Sequence, residues 1–532
     1  ASGQQAAYQK QYAIVGAVGT LKSLEIDQQT VYFAGSDGTI YQGYLPLQPA
    51  DGLTETMFEI GGSTYHYDHS EQTLKVVCQG ETVSLLLDWG ITFQFPQGEP
   101  VKAKDAVLLK HELIGSMHSF SYRFNYDNFN ADYAIILWPG TKELYLKVKS
   151  DSPFVRQVSF GSVEPTGSWR RLNVTRTSEA YGQPWHQKTI YDQARDLFYT
   201  VSLTPEVSNA SAWTGNAGGV ALSGFGKSVV LTFDAEYRPD SLGSYNPLEE
   251  QVRISVSPYL WDAVPPLTAS PSIYREELGQ IVFIDMWNNT LDWECKLRLL
   301  EKMGIGSGKL FCILQTWQTG GFDAINPDAI WLPEYPPFYP ITALQSLSEQ
   351  AKKLGRFGLR TNYVQLSHYS PSYLQGKAHY AKNASGNSRW NTSIWDLKGL
   401  ALRQESEIKK CFQTNASFTD QLGTGANALA WTDWNPEITR IKGAPSMRGT
   451  IEQLGDFIKV IKEFCQGPIS SESIIDQTLL GNNIDLGDYG IMDGYNRYLS
   501  PEYKLRYLQS QSAFHGMGIA YRYFENAPSS VS

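Results

Sequence analysis

Asp420 and Glu472 each close a short apolar run, Ala416-Ser-Phe-Thr before the first and Pro468-Ile-Ser-Ser before the second. Runs of this kind read as buried strands. Adjacent strands lie about 4.8 Å apart, so carboxylates at neighbouring strand ends meet at roughly that separation. Two carboxyls about 5–5.5 Å apart suit retaining cleavage of a glycosidic bond, one as nucleophile and one as acid/base. At about 6.5–9.5 Å the same pair would serve an inverting enzyme. If neither reacted, the site would be that of a carbohydrate-binding protein. Other strand ends carry groups that grip a sugar. They are Asp285, Trp317-Gln318, Asp323, Asn362-Tyr363, Trp431 and Asp433-Trp434. Carboxylates and amides read hydroxyls, and an indole or phenol face stacks on the apolar face of a pyranose.

These residues need elements to hold them, and the hydrophobic period supplies the elements. Ile281-Val-Phe-Ile-Asp, Leu310-Phe-Cys-Ile-Leu, Phe357-Gly-Leu-Arg-Thr, Ala416-Ser-Phe-Thr-Asp and Pro468-Ile-Ser-Ser-Glu are predicted strands. Between them, Leu291–Gly304, Ile341–Leu354, Leu397–Cys411 and Met447–Cys465 carry a helical period. Gly304 and Gly355 are good helix stops. Strand–helix alternation implies a parallel sheet, and about 250 residues of it suits a (β/α)8-type barrel. In such barrels the chemistry sits at the carboxyl ends of the strands. Tyr489-Gly-Ile-Met, Pro501–Phe514 and Gly516–Phe524 are expected to complete it as strand, helix and strand.

The first half has a period of two. Thr30-Val-Tyr-Phe-Ala, Leu74-Lys-Val-Val-Cys, Phe120-Ser-Tyr-Arg-Phe and Leu144-Tyr-Leu-Lys-Val alternate between Gly, Asp and Asn turns. Many short strands of this kind predict a large two-sheet sandwich. Pro258, Pro265, Pro266 and Pro271 then interrupt both patterns. The expected layout is a β-domain over 1–256, a linker over 257–280 and a barrel over 281–532.

Composition narrows the partners. Charged residues are only 18% and the net charge is −10, so no basic field exists to hold nucleic acid. Aromatics reach 13%, with 14 Trp and 31 Tyr, which suits a sugar surface or an aromatic-rich sheet core. No apolar run approaches the roughly 20 residues of a membrane helix. The five Cys contain no CxxC pair and the eight His no HExxH, so neither a metal nor a cofactor is expected. Gly224-Phe-Gly-Lys-Ser lacks the first glycine of a phosphate loop, since position 221 is Ala. Asp485 and Asp488 flank Gly487 in what reads as a plain loop rather than a calcium site. Six N-x-[ST] sequons, at Asn173, Asn209, Asn288, Asn383, Asn391 and Asn415, are compatible with secretion.

The segment Trp317-Gln-Thr-Gly-Gly-Phe-Asp-Ala-Ile-Asn-Pro-Asp328 resembles the endo-α-N-acetylgalactosaminidase family and neighbouring retaining α-glycosidase families. The strand ending in Asn362-Tyr363, the Phe418-Thr-Asp420 strand, Trp431-Thr-Asp-Trp-Asn-Pro436 and Gly467-Pro-Ile-Ser-Ser-Glu472 extend the likeness over roughly 280–500. The resemblance implies a galactose-mutarotase-like β-supersandwich ahead of the barrel. It also implies Asp420 as nucleophile, Glu472 as acid/base, and an α-linked hexose or N-acetylgalactosamine in a glycan or polysaccharide as substrate. Arg360 departs from the pattern, standing where the family is expected to carry a His.

Overall fold

Alternating burial builds the first half. Glu55–Ile60 buries every second side chain, and Ser63–Asp68 answers with the opposite phase across an antiparallel pair. Side chains of a strand point to alternate faces, so such segments close over a core on one side. The computed structural model of the protein describes most of residues 55–472 and short pieces on either side. Outside the described residues lie 1–22, 28–29, 35–39, 45–54, 173–186, 215–222, 265–271, 288–289, 384–385, 423–432, 436–444, 473–483, 489–512, 515–532 and some single positions. A four-stranded, a five-stranded and a nine-stranded antiparallel sheet make a layered β-sandwich. Tyr65, Tyr67, Phe93, Phe120, Ile135, Leu146 and Ile254 are among the side chains filling its core. The long strand Leu248–Ser257 runs through the middle of the nine-stranded sheet and leads out of the sandwich.

The proline-rich stretch that follows is not purely irregular, because single-turn helices form at Leu260–Ala263 and Arg275–Leu278. Proline forbids a helix interior but not a short turn beside it. The parallel sheet then begins. Its strands are β1 (Val282–Met286), β2 (Leu310–Leu314), β3 (Gly355–Thr361), β4 (Ala416–Thr419), β5 (Ile469–Glu472), β6 (Leu486–Asp488) and β7 (Ala513–Phe514). They pair in sequence order, every pair parallel. Helices α1 (Thr290–Lys302), α2 (Ile341–Leu354), α3 (Leu397–Phe412) and α4 (Met447–Cys465) cross between the first five strands. The expected closed eight-stranded barrel is therefore seen among the described residues as seven strands. The expected strand from Tyr489, residues 501–512 of the expected Pro501–Phe514 helix and the Gly516–Phe524 strand fall outside those residues, and the described end of that helix, Ala513–Phe514, is instead the strand β7.

Two cores flank this sheet. On the helix side, Cys312, Leu314, Phe357 and Leu359 pack against Leu344, Leu347 and Phe412. On the other side, Phe311, Ile313, Ala416, Phe418 and Leu486 share one cluster with Leu278 and Ile281. That second cluster draws on strands from β2 to β6, so the sheet is curled around it. α2 buries Leu344, Leu347, Ala351 and Leu354, the three-and-four spacing of one helical face. The five cysteines are all unpaired. Asn209 and Asn391 are buried and Asn415 bonds Phe357 and Gly355, so these three sequons serve packing.

Candidate active site

The period of two decides which residues reach the concave face of the curled sheet. On β2 and β4, Phe311, Ile313 and Phe418 point inward, so Gln315 and Asp420, at two-residue steps beyond them, point the same way. Phe283 places Asp285 inward in the same manner. On β3, Phe357 and Leu359 face the helices, which turns Gly358, Arg360 and Asn362 inward.

These inward groups meet at the carboxyl end of the sheet. Arg360, 1% exposed, donates through Nη1 to Asp323 Oδ1 at 2.7 Å and through Nη2 to Asp323 Oδ2 at 3.3 Å. The same Nη2 donates to Asp420 Oδ2. Asn362 Nδ2 reaches both acids, at 3.4 Å from Asp323 Oδ1 and 3.3 Å from Asp420 Oδ2. Asn326 adds a bond to Asp323 at 2.7 Å and ties it to Gln365 at 3.0 Å. The Phe322 ring lies 3.9 Å from the guanidinium, a cation–π contact, and meets Trp287 at 5.0 Å between centroids. Trp287 Nε1 donates to Asp285 at 2.9 Å, and Gln315 Nε2 donates to the other oxygen.

Burial pushes the Asp420 carboxyl above the ordinary aspartate range; Asp323 adds to that, and Arg360 opposes it. Asp323 follows the Gly320-Gly321 turn in a left-handed conformation, φ 59°, and Gln421 just after Asp420 is left-handed too, φ 61°. A non-glycine residue held there is a local cost that tends to mark functional sites.

Glu472 closes β5. Thr419 pairs with Ser471, so the next positions, Asp420 and Glu472, stand side by side at neighbouring strand ends. The Glu472 side chain and the whole of Trp431 lie outside the described residues.

Other expected sugar contacts stand elsewhere. Trp317 is fully buried on the helix side, edge-on to Phe412, and donates to the Arg360 carbonyl at 2.8 Å. Gln318, also buried, donates to that carbonyl at 3.1 Å. Tyr363 is fully buried and donates to Glu405 Oε1 at 2.8 Å. Its odd position on β3 turns it toward the helices. Asp433 is 1% exposed and accepts from Lys382 N at 3.0 Å, Asn435 N at 2.9 Å and Ser393 Oγ. It fastens its own loop to the hairpin formed by Tyr380–Lys382 and Ser388–Thr392. Trp434 is half-buried beside it, its backbone N–H donating to the Lys382 carbonyl at 3.0 Å. Asp485 accepts from Ser272 Oγ at 2.6 Å and Ile469 N at 2.9 Å, pinning the linker to β5.

Thus Asp285, Asp323, Asn362 and Asp420 come together at the strand ends. Arg360, Gln315, Asn326, Trp287 and Phe322 join them, although nothing in their types alone singles them out. For Arg360 and Gln315 the signal was present in the strand period. Among the described residues no cluster of three or more His, Cys, Asp or Glu could hold a metal ion.

A layered β-sandwich leading into a curled parallel sheet, with acids gathered at its carboxyl end, defines the structural class. No protein-family model matches the chain, and no curated protein matches its sequence. The fold has solved counterparts in the α-N-acetylgalactosaminidase NagBb from Bifidobacterium bifidum. The quadruple mutant of that protein superposes with a TM-score of 0.61 at 12% identity, over 85% of this chain and 84% of that one. Its GalNAc complex gives 0.58 at 12% identity, over 81% and 78%. The shared fold agrees with the resemblance carried by the Trp317–Asp328 segment and the strand ends after it.

Proposed function

We propose that this chain is a glycoside hydrolase that cleaves an α-linked sugar with retention, an α-N-acetylgalactosaminide or a related α-hexoside of a glycan or polysaccharide. The observation that carries it is Asp420, buried at the end of β4 under two side-chain donors, with Glu472 at the adjacent position of β5. A strand spacing of about 4.8 Å falls near the 5–5.5 Å that retention requires. The segments outside the described residues complete the curled sheet as a (β/α)8-type barrel in this reading. A glycan of polymeric size is met outside the cell, so a secreted or extracytoplasmic protein is part of the same proposal.

The reaction runs in two displacements. Glu472, protonated, gives its proton to the glycosidic oxygen as that oxygen leaves. Asp420 attacks the anomeric carbon as the C–O bond breaks, and a glycosyl ester forms. Glu472, now ionised, takes a proton from water, the water attacks the same carbon from the other face, and Asp420 is released. Positive charge develops on the sugar ring in the transition state of each displacement. Asp285, Asp323 and Asp420 against Arg360 leave a net negative surround that favours it. Asp285, Asp323 and Asn362 are the groups assigned to sugar hydroxyls.

The test is a panel of aryl α- and β-glycosides, α-N-acetylgalactosaminide among them, with the anomer of the first product followed by NMR. Release from one α-glycoside, retained configuration, and loss of several orders of magnitude in Asp420→Asn are expected. An inverted product would replace the mechanism. An Asp420→Asn protein as active as the parent would remove the nucleophile.

A further inference from the structure

The feature that the proposed chemistry leaves unexplained is Arg360. A buried guanidinium is costly unless it is paired, and here it is shared by two acids. Everything around it is built to hold it still. Its carbonyl is gripped by Trp317 Nε1 and Gln318 Nε2, which fixes the backbone. Phe322 covers one face of the guanidinium. Gly358, two residues back on the same face of β3, has no room for a side chain, since a Cβ there would stand 2.9 Å from the Ala416 carbonyl carbon and oxygen. The planar fork spans Asp323 and Asp420 at once, a reach that the single ammonium of a lysine does not match.

We propose that Arg360 is a positioning residue: it clamps Asp420 Oδ2 together with Asn362, holds the nucleophile in one rotation, and divides its charge between Asp420 and Asp323. Both donors converge on the same oxygen, so the carboxylate cannot turn about its own axis without losing both bonds. Asp323 is the counterweight. It draws on the guanidinium through two bonds and so limits how strongly Asp420 is held. This inference rests on Asp420 being the nucleophile.

The charged groups brought onto Asp420 are Arg360 and Asp323, with Glu472 at the neighbouring strand end. Asp420 must be ionised to attack, so the acid limb of kcat/KM reports its protonation in the free enzyme. Removing the cation favours the protonated acid and moves that limb to higher pH. Removing the competing carboxylate strengthens the hold of Arg360 on Asp420 and moves the limb to lower pH. An arginine that does not bear on the Asp420 carboxylate produces no such opposed pair of shifts.

The experiment compares pH profiles of the wild type, Arg360→Gln, Arg360→Lys and Asp323→Asn on the best aryl glycoside. In Arg360→Gln the limb should rise by about 1 pH unit or more, the usual effect of losing a close opposite charge. In Asp323→Asn it should fall. Arg360→Lys keeps the charge and loses the fork, so its limb should stay near that of the wild type. Its kcat should drop by about 100-fold, the cost of a misplaced reacting group, with KM little changed. Limbs that stay put in both Arg360→Gln and Asp323→Asn, or move in the same direction, overturn the proposal. If Arg360→Gln does not fold, the downward limb of Asp323→Asn and the kcat loss of Arg360→Lys decide the matter. Asp420→Asn is the control for the underlying reading. If it stays fully active, the nucleophile assignment fails; if it is inactive while the limbs do not move, the role of Arg360 alone fails.

Discussion

Asp323 and Asp433 are both acids in loops that follow predicted strands, yet they do different work. Asp323 shares Arg360 with Asp420 and remains a quarter exposed, whereas Asp433 is sealed behind three donors. Asp433→Ala strands two backbone N–H groups and a hydroxyl. An unsatisfied buried polar group costs about 1–3 kcal/mol, so the loss is several kcal/mol in total. Urea denaturation should show a lower midpoint for Asp433→Ala, while kcat of the protein that remains folded stays near that of the parent. Asp323→Ala should do the reverse, lowering kcat more than stability. Residue types alone did not separate these two acids, because both satisfy the strand-end rule. The strand period separates others. Asn362 and Asp420 fall on the inward phase and Tyr363 on the outward one, whereas Trp317 has the parity of Ile313 and Gln315 but lies three residues past the end of β2 and packs on the helix side. Reading the phase as well as the position would have moved Tyr363 into the helix layer and drawn Arg360 into the site; the burial of Trp317 follows from the turn of the chain after β2, which the period does not show.

The elements that carry these residues were largely legible. α2 and α4 run over the residues that their apolar spacing marks, and β2 coincides with Leu310–Leu314. The linker was less so, since two single-turn helices form, one between Pro258 and Pro265 and one after Pro271, where no period is long enough to show. The junction between α4 and β5 is the tightest of these connections. A Cβ at Gly467 would stand 1.9 Å from the Asn415 carbonyl oxygen, just before β4. Gly467→Ala must therefore push β5 away from β4, and Glu472 sits at the end of β5. Overpacking of this kind costs about 1–3 kcal/mol. The expected result is a lower melting temperature and a fall in kcat that exceeds what the stability loss explains. At its other end α4 depends on the sandwich. Ser446 caps it by accepting from Gly449 N at 3.0 Å, and the carbonyls of Ala210 and Ser208 accept from Met447 N and Arg448 N, both at 2.9 Å. The first N–H groups of a helix lack partners within it, and here loops of the β-half supply them. Ser446→Ala should cost about 1 kcal/mol, measured by urea denaturation, without altering KM.

The whole molecule responds to pH through groups far from the sugar site. Glu250 lies inside the sandwich, where burial pushes its carboxyl up to about 8 against bonds from Tyr237, Ser208 and Ala210 N. Glu405, behind β3, is pushed up to about 7 by burial, opposed by the Tyr363 hydroxyl. A carboxyl raised on folding stabilises the protein fully below its unfolded value and loses that contribution as pH rises through its folded one. Each of these two therefore lowers stability by about 1.4 kcal/mol per pH unit from about pH 4.5 upward. Glu405 stops contributing near pH 7 and Glu250 near pH 8. Histidines work in the opposite sense. His69 and His118 are pushed down to about 4 by burial, with His111 adjacent and Asp68, Glu55 and Glu112 near the cluster. A depressed histidine stabilises the protein above its ordinary value and loses that contribution as pH falls toward 4. The two sets oppose each other between about pH 4.5 and 6.5, so stability should be nearly flat there. It should fall above that range, where Glu250 and Glu405 still titrate and these histidines no longer do. Glu250→Gln keeps the shape and removes the ionisation, so it should raise the melting temperature at pH 8 and leave it unchanged at pH 4.5. A melting series of wild type and variant across that range checks the assignment. Equal effects at both ends would mean that Glu250 is already ionised in the folded sandwich, with its charge balanced by groups other than the three donors around it.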